Sequence, residues 1–203
     1  MNRRAMTKPR FRILASLLLP LALAACNSAT APAEKPPLEG AAIGGPFELL
    51  DKAGKTVRWS DFDGKYRIVY FGYAFCPDAC PMDVQVAMQG LTRFEKDSPD
   101  LAAQVQPIFI TIDPARDTPA RVGEFAAAFH PRLIGLTGSP DKIDAAAKAF
   151  GAYYAKGKET PGGYLMDHSR VAYLMGRKGE PIAMLPVDKD GAAVAAELAK
   201  WVK

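Results

Sequence analysis

The sequence predicts one α/β domain on a mostly parallel sheet, with a strand pair added at each end. Three observations carry that expectation. Residues 66–73 (YRIVYFGY) form a continuous run rich in aromatic and β-branched side chains, which suits a strand buried on both faces. Val84, Ala87, Met88, Leu91 and Phe94 follow at helical spacing. The alternation of strand and helix then repeats twice before the chain closes with two strands and a last helix.

Taken in order, residues 47–50 and 56–59 flank Asp51-Lys52-Ala53-Gly54-Lys55 and predict an N-terminal β-hairpin. Residues 61–65 make a turn into the buried strand at 66–73. The helix at 84–95 follows, with Pro81 suited to a first turn. Residues 105–112 read as a strand. Residues 118–129 read as a helix capped by Thr118 with Pro119 at its first position, and 133–136 as a short strand. Ser139-Pro140-Asp141 opens a further helix to about residue 150. Residues 171–175 and 181–187 flank a Gly-containing turn as an added C-terminal hairpin, and 190–201 is a terminal helix. The central crossovers are parallel and the last strands antiparallel, an order that a thioredoxin-like sheet fits. The sequence shows neither an internal repeat nor a Gly-rich phosphate loop.

The N-terminal stretch stands apart. Arg3, Arg4, Lys8, Arg10 and Arg12 form a basic region without acidic residues, followed by an apolar run at 13–23. That run is about eleven residues long against the roughly 20 a spanning helix needs, so it reads as a secretory signal over residues 1–25. Leu23-Ala24-Ala25-Cys26 resembles a bacterial lipobox, which makes Cys26 the expected lipidated first residue of the mature chain. Residues 26–46 include four prolines and few large apolar side chains, the composition of a tether, and the folded domain is expected over 47–203. The signal holds 5 of the 26 Lys+Arg and none of the 22 Asp+Glu, leaving 21 basic against 22 acidic. A mature chain near neutrality excludes an electrostatic case for nucleic-acid binding.

Cys76 and Cys80 carry the chemistry. They sit between the buried strand and the following helix, the usual ligand position in α/β folds. A helix N-terminus favours the thiolate, the form that attacks disulfides and binds metals. If the segment is helical, the i, i+4 spacing puts both sulfurs on one face. The spacing is one residue wider than the Cys-x-x-Cys of thioredoxin-type oxidoreductases. A structural zinc site wants four Cys/His ligands, and with only His130 and His168 besides it would have to use every one of them. Two sulfurs and one imidazole suit low-coordinate copper.

Phe71-Gly72-Tyr73 with Cys76-Pro77-Asp78-Ala79-Cys80-Pro81 is similar to the signature of the Sco/SenC family. Ile110-Thr111-Ile112-Asp113-Pro114-Ala115-Arg116-Asp117-Thr118-Pro119 and Asp167-His168-Ser169 with Tyr173-Leu174-Met175 match it too, in the family's order. The resemblance runs from about residue 40 to the C-terminus. It implies a thioredoxin-like fold that binds copper, as Cu(I) or also Cu(II), through Cys76, Cys80 and His168. It further implies a copper donor protein, and as acceptor the copper-centre subunit of cytochrome c oxidase or another copper protein. The expected setting is the bacterial cell envelope, outside the cytoplasmic membrane and anchored by lipid. Asp167 or Ser169 is adjacent to fix the imidazole tautomer. Gly176-Arg177 departs from the family's usual turn, away from the site.

Other candidates have ordinary structural readings. His130 closes a helix before Pro131, where an imidazolium meets the helix C-terminus favourably. Asp113 and Asp117 fall in the family motif, yet Asp117-Thr118-Pro119 looks like a cap. Asp78 is either a tuner of the thiols or a helix-start residue. Met88 and Met175 fit core positions; Met82 and Met166 are further thioethers near the motifs. Copper delivery competes with thiol–disulfide reduction, which needs the two cysteines but not His168. A peroxidase of the peroxiredoxin type would need Thr three residues before its cysteine, where this chain has Tyr73 and Pro77.

Overall fold

The computed structural model describes residues 34–161 and 163–203. The expected signal segment and Cys26 lie outside them. Among the described residues, no helix is long and apolar enough to cross a membrane.

Among the described residues, nine strands and five α-helices follow one another. They are β1 (Glu48–Leu50), β2 (Thr56–Arg58), β3 (Tyr66–Gly72), α1 (Ala79–Asp97), α2 (Pro99–Ala102), β4 (Val105–Thr111), α3 (Pro119–Phe129) and β5 (Ile134–Leu136). The chain continues through α4 (Pro140–Ala149), β6 (Tyr154–Thr160), β7 (Gly163–His168), β8 (Ala172–Met175), β9 (Pro181–Leu185) and α5 (Gly191–Trp201). The main sheet has the order β5-β4-β3-β8-β9. β3 pairs parallel with β4 and antiparallel with β8, so the first long apolar run sits at the centre. Every residue of β3 is buried, as its continuous apolar pattern predicts.

The helices begin where the sequence signals stand. Thr118 and Ser139 accept from the amides of Arg121 and Lys142, and proline follows each cap. Asp190 accepts from the amides of Ala192 and Ala193 to start α5. α1 crosses α5 closely at Gly90, where an added Cβ would lie 2.4 Å from Val194 Cγ1.

Three expectations are corrected. The helix expected from 84 begins at Ala79, because a proline in the first turn has no intrahelical amide bond to lose, and Cys80 is therefore helical. The end of the expected tether lies on the domain: Leu38 and Ile43 pack against the core, Leu38 N–H donates to Ile182 O, and Gly44 N–H to Ala149 O. Two large apolar side chains in a polar stretch suffice to dock it. Finally, β6 and β7 form a separate antiparallel ribbon that the element pattern does not anticipate. Its β7 strand alternates only between half-buried and exposed positions, so there is no core face to impose a readable period.

Candidate metal centre

β3 ends at Gly72 and the chain turns through residues 73–78 into α1. Cys76 lies in that turn and Cys80 in the first turn of the helix, so the two sulfurs do not share a helical face. They converge because the turn folds back, with Cys76 N–H on Tyr73 O and Cys80 N–H on Cys76 Sγ at 3.4 Å. His168 ends β7 and reaches the same point from the ribbon. Cys80 Sγ lies 2.9 Å from His168 Nε2. The donor atoms of Cys76, Cys80 and His168 all fall within 4.8 Å of one another. Cys80 is wholly buried and Cys76 partly exposed.

The protonation pattern follows from the bonds. His168 Nδ1 sits 2.9 Å from Ser169 O, which only accepts, so Nδ1 carries the proton and Nε2 presents its lone pair to the sulfurs. The tautomer is fixed by a backbone carbonyl rather than by the Asp167 or Ser169 side chain. The edges of Tyr70 and Tyr73 meet the imidazole at 86° and 89°, which holds its plane. The Cys76 thiol is pulled down to about 3, chiefly by the hydrogen bond from Cys80 and also by the amides of Asp78 and Cys80. Cys80 is pushed far up, because it supplies that hydrogen and because it is buried. The pair thus holds one thiolate and one proton at neutral pH, and a soft cation bound by both sulfurs takes the place of that proton.

The donor set is two sulfurs and one unprotonated imidazole nitrogen around a small space. Such a set fits a soft, low-coordinate ion and offers neither the four ligands of structural zinc nor the oxygen ligands of hard cations.

The remaining candidates fall elsewhere. His130 is the C-cap of α3, but Arg132 N–H donates to its Nδ1, so Nε2 bears the proton and faces Glu95 Oε2 at 3.3 Å. It is a buried histidine held by hydrogen bonds from Arg132 N–H and to Glu95, away from the cysteines. Asp78 is the N-cap of α1 and makes no side-chain cap bond. Asp117 is buried outright. Its Oδ2 accepts from Ala74 N–H at 2.8 Å and from Thr111 Oγ1 at 2.6 Å, which ties the cysteine turn to the end of β4, while Thr118 does the capping. Asp113 accepts from Arg116 Nε and from Tyr164 Oη at 2.7 Å. Met88 and Met175 are core; Met166 packs against it, and Met82 is half-exposed.

Sequence reasoning misses Asp83, Tyr70 and Arg170, which surround the site. Asp83 is 1% exposed. A carboxylate at i+3 from Cys80, on the same stripe as Val84 and Ala87, is the signal that marks it.

Fold and site together define a thioredoxin-like protein with a two-cysteine, one-histidine centre at the junction of its central strand and first helix. The SCO1/SenC family model matches residues 35–203, and the chain belongs to that family. It is 42% identical over 155 residues to protein SenC of Rhodobacter capsulatus, covering 76% of this chain and 66% of that protein. It is 44% identical over 142 residues to SCO1 homolog 1, mitochondrial, of Arabidopsis thaliana, covering 70% of this chain and 42% of the relative. The chain thus spans about half the length of the curated relatives it matches. Among solved structures, Arabidopsis thaliana ScoI with copper bound superposes with a TM-score of 0.73 at 38% identity, over 78% of this chain and 98% of that one. Bradyrhizobium japonicum ScoI with copper bound gives 0.71 at 37%, over 79% and 99%.

Proposed function

We propose that this protein is a copper metallochaperone that binds one copper ion through Cys76, Cys80 and His168 and delivers it to the copper centre of cytochrome c oxidase. The convergence of the three donors within 4.8 Å carries the reading, and copper-bound relatives support it. Its setting on this reading is the bacterial cell envelope, with Cys26 as the lipid anchor and the domain outside the cytoplasmic membrane. A copper donor protein loads the site. Cys76 is the more exposed of the two sulfurs, so an acceptor's thiolate approaches on its side, while buried Cys80 holds the cargo longest. Transfer then proceeds by ligand exchange and requires no bond-making on an organic substrate.

A second reading rests on the depressed Cys76 thiol. As a thiolate it attacks one sulfur of an acceptor disulfide, forming a mixed disulfide and releasing the other sulfur as thiolate. Cys80 then loses its proton and attacks the Cys76 sulfur, which frees the reduced acceptor and leaves a Cys76–Cys80 disulfide. A dithiol reductant must reset the pair.

Titration of the reduced domain with Cu(I) against a chromogenic chelator separates the two. One tightly held equivalent, weakened more than about tenfold by His168→Ala, is the expected result. Binding indifferent to His168 overturns the three-donor site and favours thiol exchange.

A further inference from the structure

Resting on the copper reading, we propose that Asp83 is a positioning residue, which with Tyr70 and Arg170 clamps the imidazole of His168 onto Cys80. The geometry closes two circuits around the Cys80–His168 contact. Asp83 lies three residues beyond Cys80 on α1, and Arg170 two residues beyond His168 on the chain leaving β7. Arg170 joins them with two parallel bonds, Nη2 to Asp83 Oδ1 at 2.6 Å and Nε to Asp83 Oδ2 at 2.9 Å. A planar two-point fork fixes orientation as well as distance. The second circuit runs through Tyr70 of β3. Its hydroxyl donates to Asp83 Oδ2 at 2.8 Å, and its ring edge packs on His168 at 86°.

The ribbon needs such a clamp. β6 and β7 hydrogen-bond only to each other as strands, so no strand pairing with the main sheet sets where His168 sits. Asp83 is buried while the Arg170 side chain is half-exposed, an arrangement in which the helix side is immobile and the ribbon side adjustable. Burying a carboxylate is costly unless its partners are well placed, and all three bonds to Asp83 come from residues that touch or adjoin His168. A purely structural ion pair has no reason to meet the ligand by both routes.

The test uses the reduced, untagged protein with Asp83→Asn and, as a surface-side variant that spares the core, Arg170→Gln. Each is expected to weaken Cu(I) binding about tenfold or more in the wild-type background, and less than about twofold in a His168→Ala background. An equal loss in both backgrounds, or no loss in either, overturns the clamp. A second readout needs no copper. The chain has two histidines, and long-range ¹H–¹⁵N spectra of apo protein report the tautomer of each. Wild type is expected to show His168 protonated at Nδ1 and His130 at Nε2. Both variants are expected to average the His168 signals and leave those of His130 in place. His168 signals unchanged by both substitutions overturn the proposal whatever the affinity. If wild type holds no copper, the copper reading fails, and the imidazole signals alone decide the clamp.

Discussion

Gly72→Ala tests how tightly the site is packed from behind. Gly72 ends β3 directly beneath the cysteine turn, and its φ is not positive, so alanine meets no backbone strain there. The obstacle is space: an added Cβ would lie 2.9 Å from Tyr70 Cε1, 3.1 Å from Cys80 Sγ and 3.2 Å from Phe109 Cε2. None of the three can swing away freely. Phe109 is fully buried, Tyr70 is pinned through its hydroxyl to Asp83, and Cys80 is fixed by α1. Overpacking of this kind costs about 1–3 kcal/mol, or roughly 3–10 °C of melting temperature for a domain of this size. Displacing the Cys80 sulfur by a few tenths of an ångström also moves it relative to His168 Nε2, now 2.9 Å away. Cu(I) affinity is therefore expected to fall about tenfold, in the range for changes that move a ligand without removing it. Thermal unfolding of apo protein and chelator competition measure the two effects. A melting temperature within about 1 °C of wild type together with unchanged affinity would refute the packing argument.

Two further predictions concern the cysteine turn. Asp117→Ala leaves the part-buried Ala74 amide and the buried Thr111 hydroxyl without their acceptor, an expected loss of about 1–3 kcal/mol in urea unfolding. A cost near zero would mean that water replaces the carboxylate. Alkylation of reduced apo protein should strike Cys76 and spare buried Cys80. Because the Cys76 thiol is lowered to about 3, its thiolate persists as pH falls, and the rate should stay nearly flat from about pH 8 to about pH 5. A tenfold fall per unit over that range, the behaviour of an ordinary thiol, contradicts the low value.

What was legible in the sequence divides along burial. β3, β4 and the capped helices could be read because a core face imposes a period and caps are local chemistry; Thr118-Pro119 and Ser139-Pro140 state their helix starts within two residues. The cysteines and His168 could be found because their residue types and spacing resemble a family signature, although the geometry that joins them could not. Cys76 and Cys80 meet through a turn and not a shared helical face. The imidazole tautomer is set by a carbonyl, which every residue has and no sequence marks. Arg67 shows the opposite failure: inside an apolar run it is fully buried, bonded to Gly176 O at 2.6 Å and stacked over Trp59. Long-range partners of that kind leave no local pattern.

The three donors belong to elements of unequal stability, and that inequality suits transfer better than a uniformly rigid site would. Cys80 stands on the helix next to the central strand, where opening requires disrupting the core. His168 stands on a ribbon that pairs with no strand of the main sheet and is held to the domain by Tyr154 and Met166 packed against the core and by polar contacts at its two ends. At the base, Arg170 grips Asp83. Towards the far end, Arg116 bonds Tyr164 O at 2.7 Å and stacks on its ring, while the Tyr164 hydroxyl bonds Asp113. Loosening the ribbon moves the imidazole without breaking a strand pairing of the main sheet, so this donor can leave at less than the cost of global unfolding. The sulfurs meanwhile keep the cargo from escaping. On the proposed delivery reading, an incoming acceptor thiolate fills the place the imidazole vacates, beside the half-buried Cys76 and opposite the buried Cys80. On that reading, holding and release fall to different side chains, the division that delivery of a bound ion demands.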